Sequence, residues 1–186
     1  MRYIGFLLAI LAALLLAPAA FGHATGKSSD DSGNGHIELC NPNDVVPGRF
    51  SDANRTWNLS HDFARPIMND VTGFGIPCEV KVVRRAGDGI EGPGMLYAST
   101  TYYNDKPDQI AIYDPFFDLT DHGKNHVVVH EEGHTMGLDH NGQCGMSVMT
   151  TISYCQSRDE PFRETPGSHD IDDLRNYWND ATPIYP

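Results

Sequence analysis

The stretch His130-Glu131-Glu132-Gly133-His134-Thr135-Met136-Gly137-Leu138-Asp139-His140 decides how the rest of the chain is read. His130 and His134 stand four residues apart. On a helix they share one face, one turn apart, and both rings reach one ion. Zinc takes neutral imidazole nitrogens and favours four ligands. Gly137 can adopt a backbone conformation that ends the helix and turns the chain. That turn brings His140 round as a third ligand. Three protein ligands leave one position for water, the arrangement of a catalytic zinc site rather than a structural one. Glu131 lies about 100° round the helix from His130, so it is not placed to share the metal. It can instead take a proton from a water that zinc acidifies. At ~5% per residue type, the five fitting positions would coincide by chance on the order of 10⁻⁴ times in a chain of this length. Surface histidines that happen to align are therefore a poor account. His126 shares the same face one turn earlier, but a fourth protein ligand would close the open position, so its place is beside the metal. His122 and His169 read as surface or capping residues, and His23, His36 and His61 carry no signal.

The flanks say where such a site works. Arg2 precedes the apolar run Phe6–Ala17, and small residues follow at Ala17, Ala19, Ala20, Gly22 and Ala24. That order reads as a secretory signal peptide over residues 1–24, with cleavage after Ala19, Gly22 or Ala24 left open. The run is shorter than the ~20 apolar residues of a spanning helix, so no stable membrane insertion is expected after cleavage. The expected location is extracellular. Export makes Cys40, Cys78, Cys144 and Cys155 a disulfide set. Of the three pairings, Cys144–Cys155 with Cys40–Cys78 is favoured, because the first closes a short loop and the second ties down the N-terminal part. Without a Cys-x-x-Cys, a thiolate zinc site or a redox motif has no support. Asn54 and Asn58 begin glycosylation sequons, used only where the host glycosylates.

The chain has 186 residues and a formal net charge of −12, which fits one domain and argues against a nucleic-acid partner. Its 12 Pro and 18 Gly are too many for a helical bundle and indicate a loop-rich α+β domain. Residues 25–52 read as a polar leader and turn-rich segment, with 25–35 disordered, and 53–186 as the catalytic domain. Strands are expected at Thr56–Leu59, Glu79–Arg84, Met95–Tyr103 and Gln109–Tyr113. Helices are expected at Asp62–Val71, Lys124–Leu138 and Asp170–Asn179, the last with Asp170 as N-cap. Gly87–Gly94 must be a loop. Asp105, Asp108, Asp114, Asp118 and Asp121 crowd one region. They suggest Ca2+ or, more simply, a solvated acidic surface.

Residues His130–His140 resemble the long zinc motif of the metzincin metalloendopeptidases. Ser147-Val148-Met149 resembles their Met-turn. The order Gly94–Leu96, Gln109–Tyr113, zinc helix, together with Phe162-Arg163-Glu164-Thr165 and the helix after it, is similar to a matrixin catalytic domain over roughly residues 53–180, loosely outside the two motifs. The resemblance implies a twisted, mostly parallel sheet with one antiparallel edge strand, a zinc-binding helix and a C-terminal helix. It implies Met149 as an apolar floor under Zn2+, and an extended peptide substrate held along Met95–Tyr103, with Met95, Leu96 and Tyr97 in contact. Thr150–Tyr154, Tyr154 included, would wall the pocket for the side chain after the scissile bond. It implies a monomeric, secreted zinc endopeptidase with Glu131 as general base. Departures are plain. No cysteine-switch prodomain is recognisable, Cys40-Asn41-Pro42 being a faint echo. Position 151, where a switching tyrosine would stand, is Thr151. The alternatives are a secreted metal-binding module or toxin with a structural or weakly active site, and a hydrolase of non-peptide amides.

Overall fold

Phe50, Ala53, Asn54 and Trp57 fall three or four residues apart and are all buried, the pattern of an amphipathic helix. They lie on helix α1, Arg49–Ser60, in the computed structural model, which describes residues 27–30, 33–40, 42–60, 66–71, 78–87, 89, 96–156 and 159–180. The strand expected at Thr56–Leu59 is therefore the last turn of a helix. A four-residue apolar window does not separate the two, whereas the 12-residue spacing does. The helix expected at Asp62–Val71 is also corrected. Ile67–Val71 is a strand, β2, and residues 61–65 lie outside the described ones.

The remaining strands are β1 (His36–Cys40), β3 (Val80–Arg85), β4 (Ala98–Thr101) and β5 (Asp108–Tyr113). They form one five-stranded sheet in the order β2-β1-β3-β5-β4. β1 pairs in parallel with β2 and β3, and β3 in parallel with β5. β4 alone runs antiparallel, opposing Thr100 to Ile110 at the sheet's edge. The fold is α+β with a mixed sheet, and the expected edge strand is in place but shorter, since only four residues of Met95–Tyr103 pair as a strand. Met95, most of Gly87–Gly94 and the signal-peptide segment lie outside the described residues.

The long helix α2 spans Asp121–Thr135 and is followed by the short helix α3, Ile152–Gln156, and by α4, Ser168–Asp180. α2 begins earlier than Lys124 because Thr120 caps it, accepting from the Gly123 N–H. α1 and α2 pack together, and the Trp57 indole donates to the Val129 carbonyl at 2.9 Å. Their apolar faces close with Ile37, Leu39, Ile110, Ile112, Val128 and Leu174 into one core cluster. Both disulfides form as favoured, Cys40–Cys78 and Cys144–Cys155. With its sulfur so engaged, Cys40 is not free to act as a switch.

Two further expectations change, and the sequon asparagines prove to be engaged. The leader is not wholly disordered: Ser29 is fully buried, donating its N–H to Thr135 O at 2.7 Å and its hydroxyl to Asp108 at 2.8 Å. Asp170 is not an N-cap but a first-turn residue of α4 that reaches back to the Gly167 N–H at 2.7 Å, half of a capping box. The sequon asparagines are spent internally. Asn54 is buried and donates to Asp70, while Asn58 exchanges two hydrogen bonds with the Met68 backbone. Among the described residues, no helix is long and apolar enough to cross a membrane.

Candidate metal centre

His130 and His134 project from one face of α2, as their spacing requires, and the turn after the helix supplies His140. Gly137 makes that turn with φ +96°, where a Cβ would also strike the Tyr177 ring at 2.6 Å. The three Nε2 atoms then face one another, His140 to His130 at 3.0 Å and His140 to His134 at 3.1 Å. For His130 and His134 the other ring nitrogen fixes the tautomer. His130 Nδ1 donates to Val148 O at 2.9 Å and His134 Nδ1 to Leu138 O at 2.8 Å. The inward Nε2 atoms of these two therefore carry lone pairs. Burial lowers the basicity of all three rings, well below the usual histidine range for His130, so they are neutral. Three ring nitrogens gathered this closely, two of them bare acceptors, suit a shared cation. Nitrogens about 2.0–2.1 Å from one tetrahedral zinc sit about 3.3 Å apart, so the donor set and its spacing fit that ion.

The support around the triad is tertiary. Met149, 1% exposed, sits under α2, where a Cβ on Gly133 would collide with its sulfur. The turn that carries it is tied to α4 by Asp170, which accepts from the Ser147 hydroxyl and from the Val148 N–H at 2.9 Å. Val148 is the residue whose carbonyl orients His130.

Glu131 is buried beside the triad, and Thr100 on β4 donates to its Oε2 at 2.7 Å. Burial pushes the Glu131 carboxyl up to about 7, against the opposing pull of the Thr100 hydrogen bond and of His140 nearby. Next to it, Glu132 is fully buried on another face of the helix, and among the described residues neither carboxyl oxygen has a hydrogen-bond partner. Burial and the nearby Asp70 carboxylate raise its pKa well above the ordinary value.

The triad opens into a cleft of about 370 Å³ between β4 and α3. Leu96, Tyr97 and Thr100 line one side, and Thr151, Ile152 and Ser153 the other. Tyr154 points away, half-exposed and with its hydroxyl near Gly142, so its expected place in the pocket wall is taken by its neighbours. His126 lines the cleft without joining the triad, its Nδ1 against Arg163 O. The crowded aspartates do not gather: Asp108 binds Ser29 and Tyr103, Asp114 binds Arg84, and Asp121 binds Arg49. Among the described residues, the three histidines are the only metal-competent cluster of His, Cys, Asp or Glu.

Thr100, Tyr102 and Asp170 were not singled out from sequence as parts of the site. Strand alternation puts Ala98, Thr100 and Tyr102 on one face, and counting inward from Ala98 would have found the first two. Nothing local marks Asp170, which acts on Ser147 and Val148, 23 and 22 residues before it.

No family pattern of known proteins matches this chain, and no curated protein matches it in sequence. Among solved structures, it is similar to a chain of the GM1-bound form of the ECX AB5 holotoxin. That match has 15% identity and a TM-score of 0.50, and covers 81% of this chain and 83% of that one. At this identity the likeness concerns the fold.

Proposed function

We propose that this protein is a secreted zinc-dependent endopeptidase of metzincin, matrixin-like type. One observation carries the proposal: three neutral imidazoles turn their Nε2 atoms to a common point, with a buried carboxylate beside them in an open cleft. His130, His134 and His140 would hold the ion, which when bound supplies a Lewis acid and makes water acidic near neutral pH. The chain's own residues do the rest. Among the described residues strand β4 has only β5 as a neighbour, so its outer edge can take an extended peptide as a further strand. Thr151, Ile152 and Ser153 bound the space for one substrate side chain. Glu131 takes a proton from water at the scissile carbonyl and passes it to the leaving amine, so no covalent intermediate forms. Its raised pKa suits both halves of that task.

A second possibility is a toxin component or binding module. It is favoured by the fold shared with a holotoxin chain and by the two disulfides, which suit an exported protein. Under that possibility the chain would act beside other subunits rather than as a monomer. The two are compatible, since an exported toxin component can itself be a peptidase. Hydrolysis of a mixed peptide library, with zinc content measured on the same sample, separates them. The peptidase is expected to cleave internal bonds and to lose activity on chelation. Folded, zinc-loaded protein that cleaves nothing would leave the binding module.

A further inference from the structure

β4 does more than bound the cleft. Its inward face carries Ala98 and Thr100, Tyr102 follows just past its end, and Thr100 and Tyr102 each bond α2. The Tyr102 hydroxyl donates to His134 O, and the Thr100 hydroxyl lies 2.7 Å from Glu131 Oε2 and 3.2 Å from Glu131 O. A hydroxyl has one proton, and the shorter contact to a carboxylate is the stronger, so the side-chain bond dominates. Thr100 is β-branched and sits in a paired strand, so its hydroxyl has little freedom to wander. Glu131, by contrast, has no other side-chain partner among the described hydrogen bonds. A carboxylate on three rotatable bonds is otherwise free to swing within the cleft.

We propose that Thr100 is a positioning residue that holds the Glu131 carboxylate in register with a peptide bound along the edge of β4. The inference rests on the endopeptidase function proposed above. One strand both seats the substrate and fixes the base, so the distance from base to scissile bond is set by a single short piece of backbone. A carboxylate misplaced by about 1 Å is enough to cost two orders of magnitude in rate.

The test compares T100V, T100S and the parent. T100V keeps shape and loses the donor, and is expected to lower kcat ~10- to 100-fold with KM changed less than about threefold. T100S restores the hydroxyl and is expected to recover most of the lost turnover. A readout independent of turnover comes from thermal unfolding of metal-free protein at pH 8. There T100V should lower the midpoint clearly in the parent and by less in an E131L background, where only the weaker bond to the residue-131 backbone carbonyl remains to be lost. T100V with parental kcat, or equal midpoint shifts in both backgrounds, overturns the role of Thr100. A parent that hydrolyses no peptide instead overturns the peptidase function, and the catalytic meaning of the contact falls with it.

Discussion

Glu131 and Glu132 are neighbours in sequence and both are buried, yet they face different worlds. Glu131 looks into the cleft, where Thr100 donates to it and the histidine cluster lies alongside. Glu132 looks into the protein, has no hydrogen-bond partner among the described residues, and feels the repulsion of Asp70. Burial raises both pKa values. Only on the cleft side does the surrounding chemistry give a raised carboxyl something to do. The pair shows that a perturbed acid is a functional group only when geometry supplies a donor, a cation site and a route for substrate.

The comparison breaks most sharply under substitution of the base. Glu131→Gln should retain zinc and lose at least ~10³-fold in kcat/KM, whereas Glu132→Gln should stay within about threefold of the parent. Peptide turnover and metal content on the same samples check this, and parental turnover by the first variant would remove the general-base role. Next in size is the prop behind the cleft. Asp170→Ala leaves the Ser147 hydroxyl and the Val148 and Gly167 N–H groups without their acceptor. It should destabilise the fold by about 2–4 kcal/mol. It should also weaken zinc binding ~10- to 100-fold, because Val148 orients His130. Urea unfolding and competitive zinc titration measure the two effects.

The core side should show smaller effects of opposite sign. Glu132→Leu removes a buried, unpartnered carboxyl and should raise the thermal midpoint by a few degrees. The pH dependence sharpens the contrast. A carboxyl whose folded pKa is raised holds its proton in the folded state after the unfolded chain has released it. Its contribution to stability is thus complete below about pH 4.5 and falls as pH rises. In metal-free protein the loss due to Glu131 should be complete above about pH 7, while that due to Glu132 should continue further. Midpoints measured from pH 5 to 9 in E131Q and E132Q separate the two slopes, and identical slopes would show that the environments do not differ.

The histidine-bearing helix and the third histidine were legible because each depends on local rules. An i, i+4 spacing fixes two rings on one face, and a glycine at positive φ fixes the turn to His140. Strands β3 and β5 were legible from alternation within one residue at their starts. The N-terminal third was not. Trp57 lies in a helix because its indole finds the Val129 carbonyl 72 residues away, and Ile67–Val71 is a strand because β1 lies beside it. No window of five residues contains either partner. Ser29 looked like part of a mobile leader for the same reason, since its acceptors are Thr135 and Asp108.

The order of residues alone therefore determined the histidine face, its turn and the carboxyl beside it, because each is fixed by backbone periodicity over a few residues. Which carboxyl is held, by what, and against which strand was decided by the tertiary structure. Thr100, Asp170 and Val148 reach the centre only when a sheet edge and a distant helix are folded against it, and hydrogen bonds across such distances leave no period in the sequence.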